Sequence, residues 1–170
     1  MESELILSIG GLPPLSARGC TQELMPIQQN LFRRTINGSL LYLGQKTQQR
    51  YRSIITCQDQ SVLATEGLWP GQHLRMGCIQ RLWQKADGNA DGAEVLLERE
   101  AIEGSVIAVD DKQNNLRILE QAGRKVRLAA SETPVFLSYR PWLDVQVINF
   151  KLLTHEWDIK AAWRLEVEEN

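Results

Sequence analysis

This chain contains few of the residues from which catalytic and metal sites are commonly built. Of its 170 residues, two are histidine and three are cysteine, and no cysteines form a C-x-x-C pair. Cys20, Cys57 and Cys78 are therefore predicted to form neither a disulfide framework nor a zinc site. His73 and His155 belong to no triad or H-E-x-x-H pattern, and no phosphate loop or dinucleotide fingerprint occurs. We expect no catalytic, cofactor-binding or metal-binding residues, and we expect that the protein is not an enzyme.

Long apolar runs are also missing from the sequence. No stretch approaches the ~20 apolar residues of a membrane span. The segment 1–4, which contains two glutamates, precedes an apolar run that is too short for a signal peptide. These absences predict a protein that has no membrane partner and that is made and kept in a reducing cytoplasm, unless an assembly carries it out.

The small net charge of −2 argues against wholesale nucleic-acid binding. The charge is unevenly placed, however. Residues 1–85 carry nine Lys/Arg and five Asp/Glu, whereas residues 86–170 carry ten Lys/Arg and sixteen Asp/Glu. The basic surface of one copy could bind the acidic surface of another copy head to tail. Alternatively, both surfaces could be solvated, which is the commoner arrangement.

The clearest pattern is the apolar–polar alternation over residues 157–168, which has the period of a β-strand with one buried face. We expect it to pair antiparallel with the apolar segment 143–153, which changes face at a bulge near Val147 and Ile148. The residues expected to point inward are Trp157, Ile159, Ala161, Trp163, Leu165 and Val167.

Many shorter segments also read as strands, which predicts an all-β protein with an antiparallel sandwich or barrel-like fold. Asn37-Gly38 between two apolar runs predicts a hairpin with a type I′ turn. One strand with a bulge near Gly77 is expected over residues 72–83, and a single helical turn could occupy residues 59–66. We expect one β-rich domain over residues 1–170, in which 86–134 could form an inserted hairpin subdomain. The remaining candidate strands are 5–9, 51–57, 93–99, 104–110, 115–120, 124–129 and 135–139.

One segment matches the pattern of a calcium-binding loop. Asp87, Asn89, Asp91, Gly92 and Glu98 satisfy D-x-[DN]-x-[DN]-G-x5-E, which supplies oxygen ligands and a sharp bend. The flanking segments read as strands rather than helices, and runs of Asp, Gly and Asn are also usual in hairpin loops. We therefore predict an ordinary loop without metal, in which Glu98 lies on a strand.

A second hypothesis rests on basic and aromatic residues in the first half of the chain. Arginines interleaved with aromatic residues would suit a single-stranded nucleic-acid-binding β-barrel, in which rings stack on bases and arginines follow the phosphates. The same residues could simply be the solvent-facing neighbours of core residues. They are Arg33, Arg34, Arg50, Arg52, Phe32, Tyr42 and Tyr51.

The five tryptophans are expected to be mostly core residues. Two of them, Trp69 and Trp142, lie beside prolines and are predicted to be in loops, where they could contact a partner.

Several segments together resemble the small tail-tip proteins of long-tailed bacteriophages, of the distal-tail or baseplate type. The resemblance covers residues 17–80 and 137–169 and leaves 86–134 without a counterpart. It is carried by the runs at 33–40, 51–57, 67–71 and 139–142.

The resemblance implies a β-rich, non-enzymatic structural protein that forms a homo-oligomeric ring between the tail tube and the tip proteins. Its partners would be further copies and other tail proteins, such as tube, hub, tape-measure or receptor-binding proteins. It would be assembled in the bacterial cytoplasm and located in the virion. The single-stranded nucleic-acid-binding barrel is the alternative, and an enzyme with a site assembled from scattered residues is a third hypothesis.

Overall fold

The computed structural model describes residues 4–27, 32–43, 49–88, 92–154, 156 and 160–170. The protein is all-β, as predicted, with 0% helix and 55% strand and with several antiparallel sheets, one of them curled into a half-barrel. No helix in these ranges is long and apolar enough to cross a membrane. The strands are β1 (Ile6–Leu7), β2 (Thr21–Pro26), β3 (Phe32–Arg34), β4 (Leu40–Tyr42), β5 (Tyr51–Asp59), β6 (His73–Gly77), β7 (Leu82–Ala86), β8 (Glu94–Leu96), β9 (Ile107–Asp110), β10 (Asn115–Leu116), β11 (Ile118–Ala122), β12 (Lys125–Leu128), β13 (Val135–Tyr139), β14 (Trp142–Thr154) and β15 (Ala161–Glu169).

The largest sheet has six strands in the order β1-β6-β14-β15-β5-β2. The predicted antiparallel pairing of the last two strands is confirmed, because β14 and β15 pair from Val145 opposite Glu169 to Thr154 opposite Ala161. The register shifts between Val147 and Asn149, which confirms the predicted bulge. β15 therefore lies inside the sheet, between β14 and β5.

The apolar side of β15 faces the first hydrophobic core. Trp163, Leu165 and Val167 are buried, as predicted from the alternation, and Ala161 is buried with them. The indole Nε1 of Trp163 donates a hydrogen bond of 2.9 Å to the carbonyl oxygen of Ser16, so its one polar atom has a partner inside the core. The other predicted inward residues, Trp157 and Ile159, lie outside the described residues.

A second hydrophobic core lies between two smaller sheets, one of order β10-β9-β13-β7 and one of order β11-β12-β8. The chain leaves the six-stranded sheet after Gly77 and rejoins it at Trp142, which is the residue paired with Gly77. The Cys78 amide donates to the Pro141 carbonyl over 3.0 Å and closes this junction. That 86–134 forms an inserted subdomain stays a prediction.

The segment 72–83 is not the single bulged strand that we predicted. It forms β6 and β7, which belong to different sheets. The reason lies in a distant side chain, because the Gln22 Oε1 atom accepts hydrogen bonds from the amides of Ile79 (2.7 Å) and Gln80 (2.9 Å). Those two donors are therefore not available to continue a sheet ladder.

Residues 59–66 also differ from the prediction, since they form no helical turn. Asp59 ends β5, and the following segment is tied to the 11–15 region. The Ser61 amide donates to the Leu15 carbonyl and the Ala64 amide to the Gly11 carbonyl, each over 3.0 Å. These long-range bonds replace the local bonds of a helical turn.

Candidate interaction surfaces

The hairpin formed by β3 and β4 is here called the arm (residues 32–43). The predicted hairpin is confirmed, with Phe32 opposite Tyr42 and Arg34 opposite Leu40. Its turn is not type I′, because only Gly38 of the Asn37-Gly38 pair has a positive φ (81°). The Gly38 amide donates to the Thr35 carbonyl, and the Thr35 amide donates to the Ser39 carbonyl. This is the pattern of a type I turn closed by a glycine bulge.

The arm exposes apolar side chains on both of its faces. Phe32 and Tyr42 share one face with ring centroids 5.1 Å apart, Leu41 lies on the other face, and Ile36 at the tip is fully exposed. β3 and β4 hydrogen-bond only to each other among the described strands. An isolated two-stranded hairpin is marginally stable in water. No other described strand therefore pairs with the arm to stabilise it.

The four arginines of the predicted basic face have different surroundings. Arg33 and Arg34 lie on the arm, and neither forms an ion pair within the described part of the chain. Arg52 lies in β5 instead and pairs with Glu166 (Nη2 to Oε2, 3.0 Å) and with Glu168. The Arg52 hydrogen bond is the main reason that the pKa of Glu166 is below its ordinary value. Of these four arginines, Arg33, Arg34 and the exposed Arg50 therefore form no ion pair among the described residues, whereas Arg52 does.

The β10-β9-β13-β7 sheet carries a second exposed apolar surface, here called the Trp83 face (Trp83, Ile107, Val109 and Phe136). Cross-strand register places these residues together, because Ser138 lies opposite both Trp83 and Ile107, while Phe136 lies opposite Val109. Trp83 is 65% exposed and Ile107 is 46% exposed. The expectation that most tryptophans are core residues therefore does not hold for Trp83.

Acidic residues gather at one end of this sheet, and the three that are exposed form what is here called the acidic rim (Asp87, Asp111 and Glu132). Val135 lies opposite both Ala86 and Asp110, so the end of β7, the start of β13 and the end of β9 meet there. No member of the rim forms an ion pair with another described residue. Asp110 is not part of the rim, because it lies opposite the buried Val135 on the core side of the sheet. Its carboxylate accepts hydrogen bonds from Asn114, which lower its pKa, and from the Lys112 amide.

The opposite end of the Trp83 face is basic. Arg81 lies across Ser138, where its Nε donates to Ser138 Oγ over 2.7 Å and its Nη2 donates to the carbonyls of Ser138 and Ser105. Arg140 lies at the same end, next to the last residue of β13, but its charge is paired with Glu4 (Nη1 to Oε2, 3.6 Å). The apolar face is thus bounded by negative charge at one end and by the positive charge of Arg81 at the other.

The two tryptophans predicted to be in loops have different environments. Trp69 is 73% exposed in a turn whose Gly71 has a φ of 90°, and the Gln72 amide donates to the Trp69 carbonyl. Trp142, in contrast, is the first residue of β14 and is only partly exposed. The Arg75 guanidinium lies 4.9 Å from its ring centroid. The loop prediction is therefore wrong for Trp142.

The calcium-loop pattern is only partly described, because 89–91 lie outside the described residues. Glu98 is in a bend beyond β8 and not on a strand as predicted, since β8 ends at Leu96. Within the described residues no group of three or more His, Cys, Asp or Glu side chains could hold a metal ion. Whether this loop binds calcium stays a matter of prediction.

The structure places His73 in no catalytic arrangement with other described residues. His73 is exposed at the start of β6, where its Nδ1 lies 2.9 Å from the Asn170 Nδ2. His155 lies outside the described residues.

Two of the cysteines, Cys57 and Cys78, are core residues. Burial raises the pKa of the Cys78 thiol to about 11.

No family model, curated protein or solved structure matches this chain.

Proposed function

We propose that this protein is a structural subunit that assembles with further copies of itself into a ring. The arm supports this proposal most directly. It exposes apolar residues on both faces and at its tip, and it hydrogen-bonds to no other described strand. Aromatic and arginine side chains are enriched at the energetic centres of protein interfaces, and the arm supplies Phe32, Tyr42, Arg33 and Arg34.

The distribution of charge supports a contact between unlike surfaces. The basic arm lies in the first half of the chain, whereas the acidic rim lies in the second half. A contact that joins two different surfaces of identical subunits is heterologous, and it closes into a ring when the rotation between subunits permits. A ring is therefore a more natural outcome than an isologous dimer.

The finer proposal is a tail-tip or baseplate component of a long-tailed bacteriophage, in which the ring connects the tail tube to the tip proteins. It rests on the resemblance carried by residues 17–80 and 137–169. The proposed partners are further copies and tube, hub, tape-measure or receptor-binding proteins, and the proposed location is the virion. The exposed Trp69 turn and Arg50 are further surfaces for these contacts.

The oligomeric state of the purified chain tests the proposal. Mass photometry and light scattering, from nanomolar to about 100 µM protein, should reveal one closed oligomer whose population grows with concentration. Negative-stain images of that species should show a ring. A monomer over the whole range would contradict the proposal, and a small-molecule substrate that protects such a monomer against heat would favour an enzyme. Tail genes beside the coding gene would support the phage assignment in particular.

The exposed Phe32–Tyr42 ring pair beside Arg33 and Arg34 favours one second candidate, a single-stranded nucleic-acid-binding protein. Fluorescence anisotropy with a labelled oligonucleotide tests it. Binding that weakens steeply with salt, and that is lost in Arg33→Glu/Arg34→Glu, would favour this candidate because neutralised phosphates release counterions. Absence of binding at low salt would exclude it.

A further inference from the structure

We infer that the arm of one copy docks on the Trp83 face of a second copy, with Arg33 and Arg34 directed toward the acidic rim. This inference rests on the proposed function, which it deepens by naming the two surfaces that meet.

The chemistry of the two surfaces is complementary. The arm presents Phe32, Tyr42 and Leu40 on the same face as Arg34, while Arg33 lies on the opposite face. The Trp83 face presents an apolar sheet surface that ends in acidic residues without ion pairs among the described residues. Burying the two apolar surfaces against each other removes both from water. Arg34, which lies on the docking face and donates to the Gly38 carbonyl of its own hairpin over 3.0 Å, gains a carboxylate partner that it lacks within the described structure. Arg33 adds its positive charge from the other face of the arm.

The charges also fix the direction in which the arm would lie. Arg81 occupies one end of the β10-β9-β13-β7 sheet, where the charge of Arg140 is paired with Glu4, and the acidic rim occupies the other end. An arm placed with its arginines toward Arg81 would bring like charges together, whereas the reverse placement pairs opposite charges. Lys85 lies on the Trp83 face, but it belongs to the edge strand β7, where its long side chain can turn outward.

The dimensions of the two surfaces agree. Four strands spaced about 4.8 Å apart form a surface roughly 14 Å across, which accommodates the roughly 5 Å separation of the two arm strands. Because the arm and the Trp83 face are different surfaces, each copy would use its arm on one neighbour and its face on the other. This contact is heterologous, as a ring requires.

Charge reversal tests the inference with two variants at exposed positions. The arm variant is Arg33→Glu/Arg34→Glu, and the rim variant is Asp111→Lys/Glu132→Lys. Each variant alone should associate at least about tenfold more weakly than the wild type, because its arm and rim carry the same sign. An equimolar mixture should regain assembly, because each arm then meets a rim of opposite charge on the other variant. Mass photometry measures all three samples, and circular dichroism verifies that each variant is folded.

An apolar variant gives an independent measurement. Trp83→Ser should weaken association, whereas the control Leu119→Ser should not, because Leu119 is comparably exposed but lies in the other small sheet.

The outcomes separate this inference from the proposed function. A wild-type monomer at every concentration would overturn both. Variants that assemble like the wild type would overturn the docking inference alone, as would a mixture that stays monomeric when the wild type assembles. The latter result would also be expected if the arm folded back on its own copy.

Discussion

Two antiparallel hairpins of this protein differ in how they are stabilised. The closing hairpin, β14 with β15, is flanked by β6 on one side and by β5 on the other, and the apolar side of β15 is buried in the first core. The arm, β3 with β4, has no neighbouring strand among those described, and every one of its residues is exposed.

The sequences of the two hairpins explain the difference. β15 separates apolar residues on one side from charged residues on the other, so a single sheet face can be buried. The arm places aromatic or aliphatic residues on both sides together with arginines. The closing hairpin is therefore stabilised within the chain, whereas we expect the arm to be stabilised by a partner. Four predictions test this contrast, from the largest effect to the smallest.

Trp163→Ala should lower the free energy of unfolding by about 3–5 kcal/mol, because it leaves a large cavity in the core and removes the hydrogen bond to Ser16. Leu40→Ala in the arm should change it by no more than about 0.5 kcal/mol. Urea denaturation at one fixed, low protein concentration measures both. Equal losses in the two variants would contradict the contrast.

Glu169→Gln should lower the free energy of unfolding by about 1–3 kcal/mol, because charge-assisted hydrogen bonds hold this end of β15. The Glu169 carboxylate accepts bonds from Arg99 Nε (2.5 Å) and Nη2 (3.1 Å) and from the Tyr51 amide (3.0 Å). The exposed Glu66→Gln is the matched control, with no effect expected. An effect of Glu169→Gln no larger than that of the control would show that this end of β15 is not held by these bonds.

Asp59→Asn should destabilise the protein at neutral pH but much less in acid. Hydrogen bonds from Arg18 hold the pKa of Asp59 below its ordinary value of about 3.9, so the carboxylate stabilises the fold above that pH. This contribution is lost as the pH falls through the folded-state pKa. The Tm difference between wild type and variant should therefore be larger at pH 7 than near pH 2, and a difference independent of pH would refute this. Glu103→Gln, at an exposed position outside the proposed contact surfaces, serves as the control.

Gly38→Ala should strain the arm without changing the free energy of global unfolding. Gly38 has a φ of 81°, which costs an alanine roughly 1 kcal/mol. Gly123→Ala is the matched control, because Gly123 has a φ of 57° and open space around it but lies between β11 and β12 of the second core. Gly123→Ala should lower the free energy of global unfolding by about 1 kcal/mol. Gly38→Ala should leave that free energy unchanged and should only make trypsin cleavage after Arg33 or Arg34 faster. A lower free energy of global unfolding in Gly38→Ala would show that the arm is part of the cooperative fold.

The elements that could be predicted from sequence are those defined by local pattern. Apolar–polar alternation was sufficient to predict the pairing of β14 with β15 and the bulge after Val147. The Asn37-Gly38 pair was sufficient to predict the hairpin of the arm but not its turn type. The break between β6 and β7 was not predictable in this way, because it depends on Gln22, which is distant in sequence.

The candidate surfaces were predictable only in part. The charge imbalance and the arm arginines are visible in the sequence. The exposure of Trp83 is not, because alternation shows that a strand has two faces but not whether another sheet covers the second one. The grouping of Asp87, Asp111 and Glu132 likewise depends on which strands are neighbours.

The central position of β15 has a consequence for synthesis on the ribosome. β15 follows every other described strand along the chain, yet it lies between β5 and β14, and its Glu166 pairs with Arg52 from the first third of the sequence. While β15 is still being translated, β5 and β14 each present an open edge of the kind that promotes wrong pairing between chains. Completion of the six-stranded sheet must wait for contacts of high sequence separation, which form slowly. We therefore expect nascent chains that lack β15 to need protection by chaperones, and ribosome pausing just before residue 161 to increase aggregation.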